Sequence, residues 1–156
     1  MRILIGVKKV INLEDLPESL PNLKTLELTT TNDALSMNVL IRILICSSNL
    51  ESLHLIIQKG SLHTSFATED HDLEFWETDY DCIFERLMTV NMTGISAVQH
   101  HTGFIEFLLE RSPVLETMSI TPCVNMTDEK LNFSIELLRF RRASPEAEII
   151  FVQDQL

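Results

Sequence analysis

The sequence predicts a short α/β solenoid, a parallel sheet with helices on its other side, and three observations point there. A small leucine figure, L-x-x-L-x-L, recurs along the 156-residue chain. Segments with a helical apolar period separate most of its copies. Hydrophobic residues make up 45% of the chain and the mean hydropathy is +0.12, enough apolar side chain for a core and too much for disorder.

The figure occurs at Leu23/Leu26/Leu28, Leu50/Leu53/Leu55, Leu87/Val90/Met92 and Leu115/Met118/Ile120. Its second and third positions are two residues apart, so both project from one face of a strand. The first position lies on the approach and covers the edge of the same core. A lone strand of this kind cannot bury its apolar face. Copies stacked in parallel can, provided each return segment crosses the other side. Successive copies start 27, 37 and 28 residues apart. Two intervals fall in the roughly 20–29 range of leucine-rich repeats, and the long one requires an insertion. The alternative is an ordinary α/β sandwich with coincidental leucine spacing.

After the first copy, "DALSMNVLIRILICSS" sets Leu35, Val39, Leu40, Ile43 and Leu44 on a helical period, with Asn32 or Asp33 as N-cap. Residues 58–82 are acidic and lack a sustained period. They read as a loop insertion with a short turn near Asp79–Phe84. His100, His101 and Gly103 are expected in a turn before a helix carrying Phe104, Phe107, Leu108 and Leu109, which Pro113 ends. "DEKLNFSIELLRFRRA" predicts a third helix, capped by Asp128, with its apolar stripe through Leu131, Ile135, Leu138 and the neighbourhood of Phe140. A strand in "AEIIFVQ" closes the array.

The net charge of −11 would repel a polyanion, so no nucleic-acid partner is expected. The charge is unevenly placed: Glu69, Asp70, Asp72, Glu74, Glu77, Asp79, Asp81 and Glu85 crowd one stretch, and Arg139, Arg141 and Arg142 cluster near the end. The N-terminal apolar run is interrupted by Lys8 and Lys9 and is too short for a signal-peptide core. No stretch approaches the ~18 apolar residues of a membrane span. Three widely spaced cysteines, Cys46, Cys82 and Cys123, suit a reducing compartment. A cytoplasmic or nuclear protein with no membrane partner is expected, and the three glycosylation-type sequons at Asn91, Asn125 and Asn132 are then chance matches.

Candidate chemistry is thin. His63, His71 and Cys82 lack the paired spacing of a zinc site, and the acidic run lacks the ligand ladder and central glycine of a calcium loop, so neither metal nor cofactor is expected. His100 and His101 are adjacent and would point away from a shared site. Each cysteine lies beside an apolar element, where a buried inert thiol is the ordinary outcome. No glycine-rich phosphate loop or G-x-S-x-G elbow is present. In "RFRRASPE", Arg141 and Arg142 precede Ser144 as a basophilic kinase would require, or the arginines simply offset the negative end of a helix. Trp76 and Tyr80, the sole Trp and Tyr, lie in the acidic insertion and with Asp79 form the candidate partner contact. The alternative is that Trp76 folds back over the sheet edge. The expectation is a binding protein and not an enzyme.

From Cys82, "CIFERLMTVNMTGISAVQHHTGFIEFLLERSPVLETMSITPC" resembles the FBD region of plant F-box/FBD/LRR-repeat proteins. The matching features are a V-x-x-x-G figure at Val90 to Gly94, a helix at Phe104 to Glu110 and a strand within Ser112 to Ile120. "LLRFRRASPEAEIIFV" resembles the family's closing helix and strand, and "LPNLKTLELTT" and "CSSNLESLHLII" resemble its repeats. The resemblance divides the chain into a leucine-rich segment, residues 1–82, and an FBD-like unit, residues 83–156. It implies a substrate-recognition subunit of an SCF-type ubiquitin ligase, which raises a target's effective concentration near the ubiquitin donor without bond chemistry of its own. A Skp-type adaptor is implied only where an F-box lies upstream, and none is recognisable ahead of Leu23. A free-standing repeat scaffold or decoy is the alternative, followed by a metal-dependent enzyme using the His63–Cys82 segment. The target protein is not specified by the sequence.

Overall fold

The computed structural model describes residues 2–5, 23–31, 34–58, 82–96, 99–123 and 130–152. In chain order the elements are β1 (Arg2–Ile5), β2 (Thr25–Thr31), α1 (Ala34–Cys46), β3 (Ser52–Gln58), β4 (Thr89–Ile95), α2 (Gln99–Arg111), β5 (Thr117–Pro122), α3 (Lys130–Arg139) and β6 (Glu148–Phe151). The six strands form one parallel sheet in chain order, each new strand laid beside its predecessor. This is an α/β arrangement consistent with a leucine-rich-repeat-like fold.

The register aligns the leucine figure position by position. Leu26 pairs with Leu53, Leu53 with Val90, and Val90 with Met118. The next row runs Leu28, Leu55, Met92, Ile120. Every member of both rows is 5% exposed or less, as are Leu23, Leu50, Leu87 and Leu115 on the approaches. Each such side chain contributes about 1.5–3 kcal/mol when fully buried. Leu40, Ile41, Ile43 and Leu44 of α1, Phe104, Ile105, Phe107, Leu108 and Leu109 of α2, and Phe133 and Leu137 of α3 join the strand residues in a single core cluster. One face of the sheet is therefore covered by helices.

The same turn precedes four strands. The N–H groups of Leu50, Leu87, Leu115 and Ala147 donate to the carbonyls of Ser47, Phe84, Ser112 and Ser144, three residues earlier. In the Ser112 and Ser144 turns the next residue is proline, whose fixed φ suits that position. Neighbouring repeats are then joined through shared acceptors: the carbonyls of Lys24, Glu51 and Met88 each receive two N–H groups from the following repeat. The turn serines differ in use. Ser47 Oγ donates to Ile43 O at 2.7 Å and Ser144 Oγ to Leu115 O at 2.7 Å, whereas the fully buried Ser112 Oγ has no partner among the described residues.

Gly94 accounts for the glycine of the V-x-x-x-G figure. The β4–β5 register slips between Thr93 and Ile95, and Gly94 there adopts φ +86°. A Cβ at this position would collide with the carbonyl oxygen of Ile57 on β3. Only glycine combines that left-handed conformation with such close backbone approach.

Several elements depart from the sequence expectation. Helix α2 begins at Gln99, so His100, His101 and Gly103 lie inside it instead of in a preceding turn. His101 is fully buried and forms the i, i+3, i+4, i+7 face with Phe104, Ile105 and Leu108. Its Nδ1 accepts the Ser96 N–H at 3.0 Å, so a polar residue acts as a core residue. In α3 the buried face is Phe133 and Leu137, while Ile135 and Leu138 are 42% and 69% exposed. Phe133 wins the inward position by its edge-to-face contact with Phe151, with ring centroids 6.2 Å apart. The N-terminal apolar run supplies a strand, β1. Gln58 ends β3 instead of opening the insertion. The turn expected near Asp79–Phe84 lies largely outside the described residues, and a turn from Phe84 to Leu87 follows it. The proposed caps Asn32, Asp33 and Asp128 lie outside the described residues.

Replacing Gly94→Ala is expected to destabilise the protein by at least about 2 kcal/mol, from backbone strain plus the clash with Ile57, read as a lowered denaturation midpoint. The turn serines give an opposed pair. Ser47→Ala should cost about 1 kcal/mol by removing a satisfied hydrogen bond, and Ser112→Ala should be neutral or stabilising because it removes a buried hydroxyl with nothing to bond. The same unfolding measurement separates them.

Candidate protein-interaction face

Residues alternating with the buried rows line the opposite face of the sheet. One row runs Thr25, Ser52, Thr89, Thr117 and Glu148. The next runs Glu27, His54, Asn91, Ser119 and Ile150, and a third runs Thr29, Ile56, Thr93 and Thr121. On β2 to β5 these side chains are all half-buried, in contrast to the closed leucine rows one residue away. Strands about 4.8 Å apart hold each row as a ladder of short polar groups. Hydroxyls dominate, Asn91 adds an amide, and Glu27 stands in register beside His54. Such a surface donates and accepts hydrogen bonds at fixed spacing while presenting little charge.

Charge is distributed elsewhere. Acidic and basic side chains balance across the described residues, so the net −11 is carried by the residues outside them. On the helical side, burial holds the Glu106 carboxyl above its ordinary pKa, and the nearby carboxylates Glu110 and Glu136 push it the same way. Arg111 places its guanidinium 4.4 Å from the centre of the Phe107 ring and lies 3.7 Å from the Glu110 carboxylate.

Trp76, Asp79 and Tyr80, the partner-contact candidates, lie outside the described residues, as do His63 and His71. The framework shows where their segment re-enters. Cys82 packs against the core. Phe84 sits edge-to-face on Phe107 with centroids 5.9 Å apart, and its N–H donates to Arg111 O at 2.8 Å. Phe84 occupies the turn position that serine fills in three other repeats, anchoring the end of the insertion to α2. Cys46, Cys82 and Cys123 are half-buried instead of fully buried. Among the described residues no group of three His, Cys, Asp or Glu side chains is arranged to hold a metal ion, and no helix is long and apolar enough to cross a membrane. The open-face ladder is not marked in the sequence by any rare residue type. Its signal was the Thr, Ser and Asn at the positions between paired leucines.

Fold and face together define a leucine-rich-repeat-like protein compatible with protein interaction. More particularly, the chain is similar to the plant F-box/FBD/LRR-repeat proteins. It is 36% identical over 153 residues to the F-box/FBD/LRR-repeat protein At1g13570 of Arabidopsis thaliana, a match covering 94% of this chain and 36% of that protein's length. No family model matches the chain, and no solved structure matches it.

Because Glu106 has a raised pKa in the folded state, its ionisation opposes folding. Its stabilising contribution is present at low pH and is lost as pH rises through that raised pKa. Glu106→Gln is therefore expected to raise stability at neutral pH, by less than about 1 kcal/mol given solvent screening. The advantage over wild type should vanish in acid, as followed by denaturant unfolding across an acidic-to-neutral pH series.

Proposed function

We propose that the chain is a leucine-rich-repeat solenoid that holds another protein on its open sheet face, performs no catalysis, and serves as the target-recognition portion of an SCF-type ubiquitin ligase. The observation that carries this reading is the aligned ladder from Thr25, Glu27 and Thr29 across to Thr117, Ser119 and Thr121. Four strands are kept parallel and in register to present a polar face, and the core does not need that face. Its fixed hydrogen-bonding groups suit a protein partner, because the rigid sheet requires little ordering on binding. Support for the ligase role is the F-box and FBD in the relative's name. In this reading Trp76, Asp79 and Tyr80 of the insertion also contact the partner, the two aromatics as anchors. The compartment is cytoplasmic or nuclear.

The test is affinity capture of partners from plant extract with the tagged chain, followed by reconstitution with the purified partner. Asn91→Arg with Thr117→Arg should abolish binding while leaving the unfolding midpoint within about 0.5 kcal/mol of wild type, as ordinary surface changes do. Trp76→Ala with Tyr80→Ala should weaken it at least tenfold. Persistence of binding in the arginine pair would reject the face, and persistence in the alanine pair would reject the insertion as a contact. Direct binding of a Skp-type adaptor to the same chain would exclude a decoy that stands apart from the ligase.

A further inference from the structure

We infer that Ser144 is a phosphorylation site whose modification releases the last strand, β6, from the sheet. Ser144 opens the turn before β6 and is 3% exposed, with its hydroxyl donating to Leu115 O of the preceding repeat. That bond spans 29 residues of chain and rivets the final repeat to its neighbour. Arg142 Nη1 closes the same turn by donating to Ala147 O at 2.8 Å. The sequence ahead of it, Arg141-Arg142-Ala143, places arginines at −3 and −2, and Pro145 follows at +1. Ser112-Pro113 occupies the equivalent turn one repeat earlier, so the Ser-Pro pair alone is turn chemistry. What distinguishes Ser144 is the arginine pair and the terminal position of its strand.

Strand β6 lies at an edge of the described sheet and is weakly held there. It has four residues, pairs on one side only, and none of its side chains is fully buried. Terminal elements of this kind open at a small fraction of the global unfolding free energy. In the open state Ser144 is accessible and Arg142 is freed from Ala147. A kinase then transfers the γ-phosphoryl group of ATP: the Oγ–P bond forms as the bond from that phosphorus to the bridging oxygen breaks, ADP departs, and the hydroxyl proton passes to the kinase's carboxylate base. The product cannot reclose. A hydroxyl that donated to Leu115 O has become a group of acceptors carrying nearly two negative charges, and the closed turn would bury that charge against a carbonyl oxygen. The released Arg142, with Arg141, pairs with the phosphate in the open state. Loss of β6 removes Glu148 and Ile150 from the polar face and bares the edge of β5.

The test treats the full chain with ATP and, separately, a kinase selecting arginine at −3 and −2 and one selecting proline at +1. The modified residue is located by mass spectrometry. Ser144→Ala should abolish incorporation. Phe151→Ala, which loosens β6 at its Phe133 contact without touching residues 141–145, should be phosphorylated about tenfold faster than wild type. Once phosphorylated, the Glu148 and Val152 amides, bonded to Glu116 O and Ile120 O in the closed form, should exchange with solvent deuterium at least tenfold faster, with β2 to β4 unchanged. Failure of both kinases on both proteins would overturn the proposal. So would equal rates for wild type and Phe151→Ala, or phosphate at Ser144 with β6 protection intact.

Discussion

The structure depends on one constraint: an apolar pair on a short strand can be buried only between like pairs on its neighbours and the helices behind them. Leu53 and Leu55 are sealed because Leu26 and Leu28 flank them on one side and Val90 and Met92 on the other. No repeat has a core of its own. Stability is therefore nearest-neighbour in character, and backbone links such as Met88 O receiving the Glu116 and Thr117 N–H groups transmit it from one repeat to the next. The same constraint gives the edge strands of the described sheet neighbours on one side only, which makes such an edge a natural place for a conformational control.

The two sides of the sheet follow from that arrangement with different tolerances. On the core side, aliphatic shape is demanded at every second position, and a one-residue slip would expose both rows at once. On the open side, the packing requires only small β-compatible residues, and Thr, Ser and Asn satisfy it. Where the chain leaves the regular pattern, special backbone chemistry appears. At the β4–β5 slip, Gly94 lets β4 pass close to Ile57. Two residues later, Ser96 is tied to His101, fixing the path from strand into α2. The glycine of the family-like figure is thus a geometric necessity of the strand's exit.

Much of this was legible in the residues. The leucine positions gave the register of four strands because period two, buried on one face, admits a single alignment. Helix α1 was equally clear, being apolar on a continuous helical period. Legibility failed where residue type and environment diverge. His101 reads as polar, so the first turn of α2 was assigned to a loop, yet a backbone N–H donated to Nδ1 makes the imidazole a core side chain. In α3, apolar residues occur on both faces. Ile135 and Leu138 match a helical stripe as well as Phe133 and Leu137 do, and the choice was made by Phe151, in a strand eighteen residues beyond Phe133. β1 was obscured by brevity, since four residues carry little period. The open-face ladder is hard to see in the sequence, because its distinction is regular placement and not unusual chemistry.

The separation of charge from the ordered framework bears on how such a face would work. With acidic and basic groups balanced in the described residues, the framework projects little net field, and the −11 belongs to the segments outside it. Long-range attraction of a basic partner would then come from those segments, and it would set the rate of encounter and its salt dependence. Discrimination would come from the face itself, where Thr, Ser and Asn at fixed intervals penalise any partner that leaves one of them desolvated and unbonded. Approach and recognition would thus depend on different residues, so that neutralising the acidic run should slow association while leaving the dissociation rate governed by the ladder.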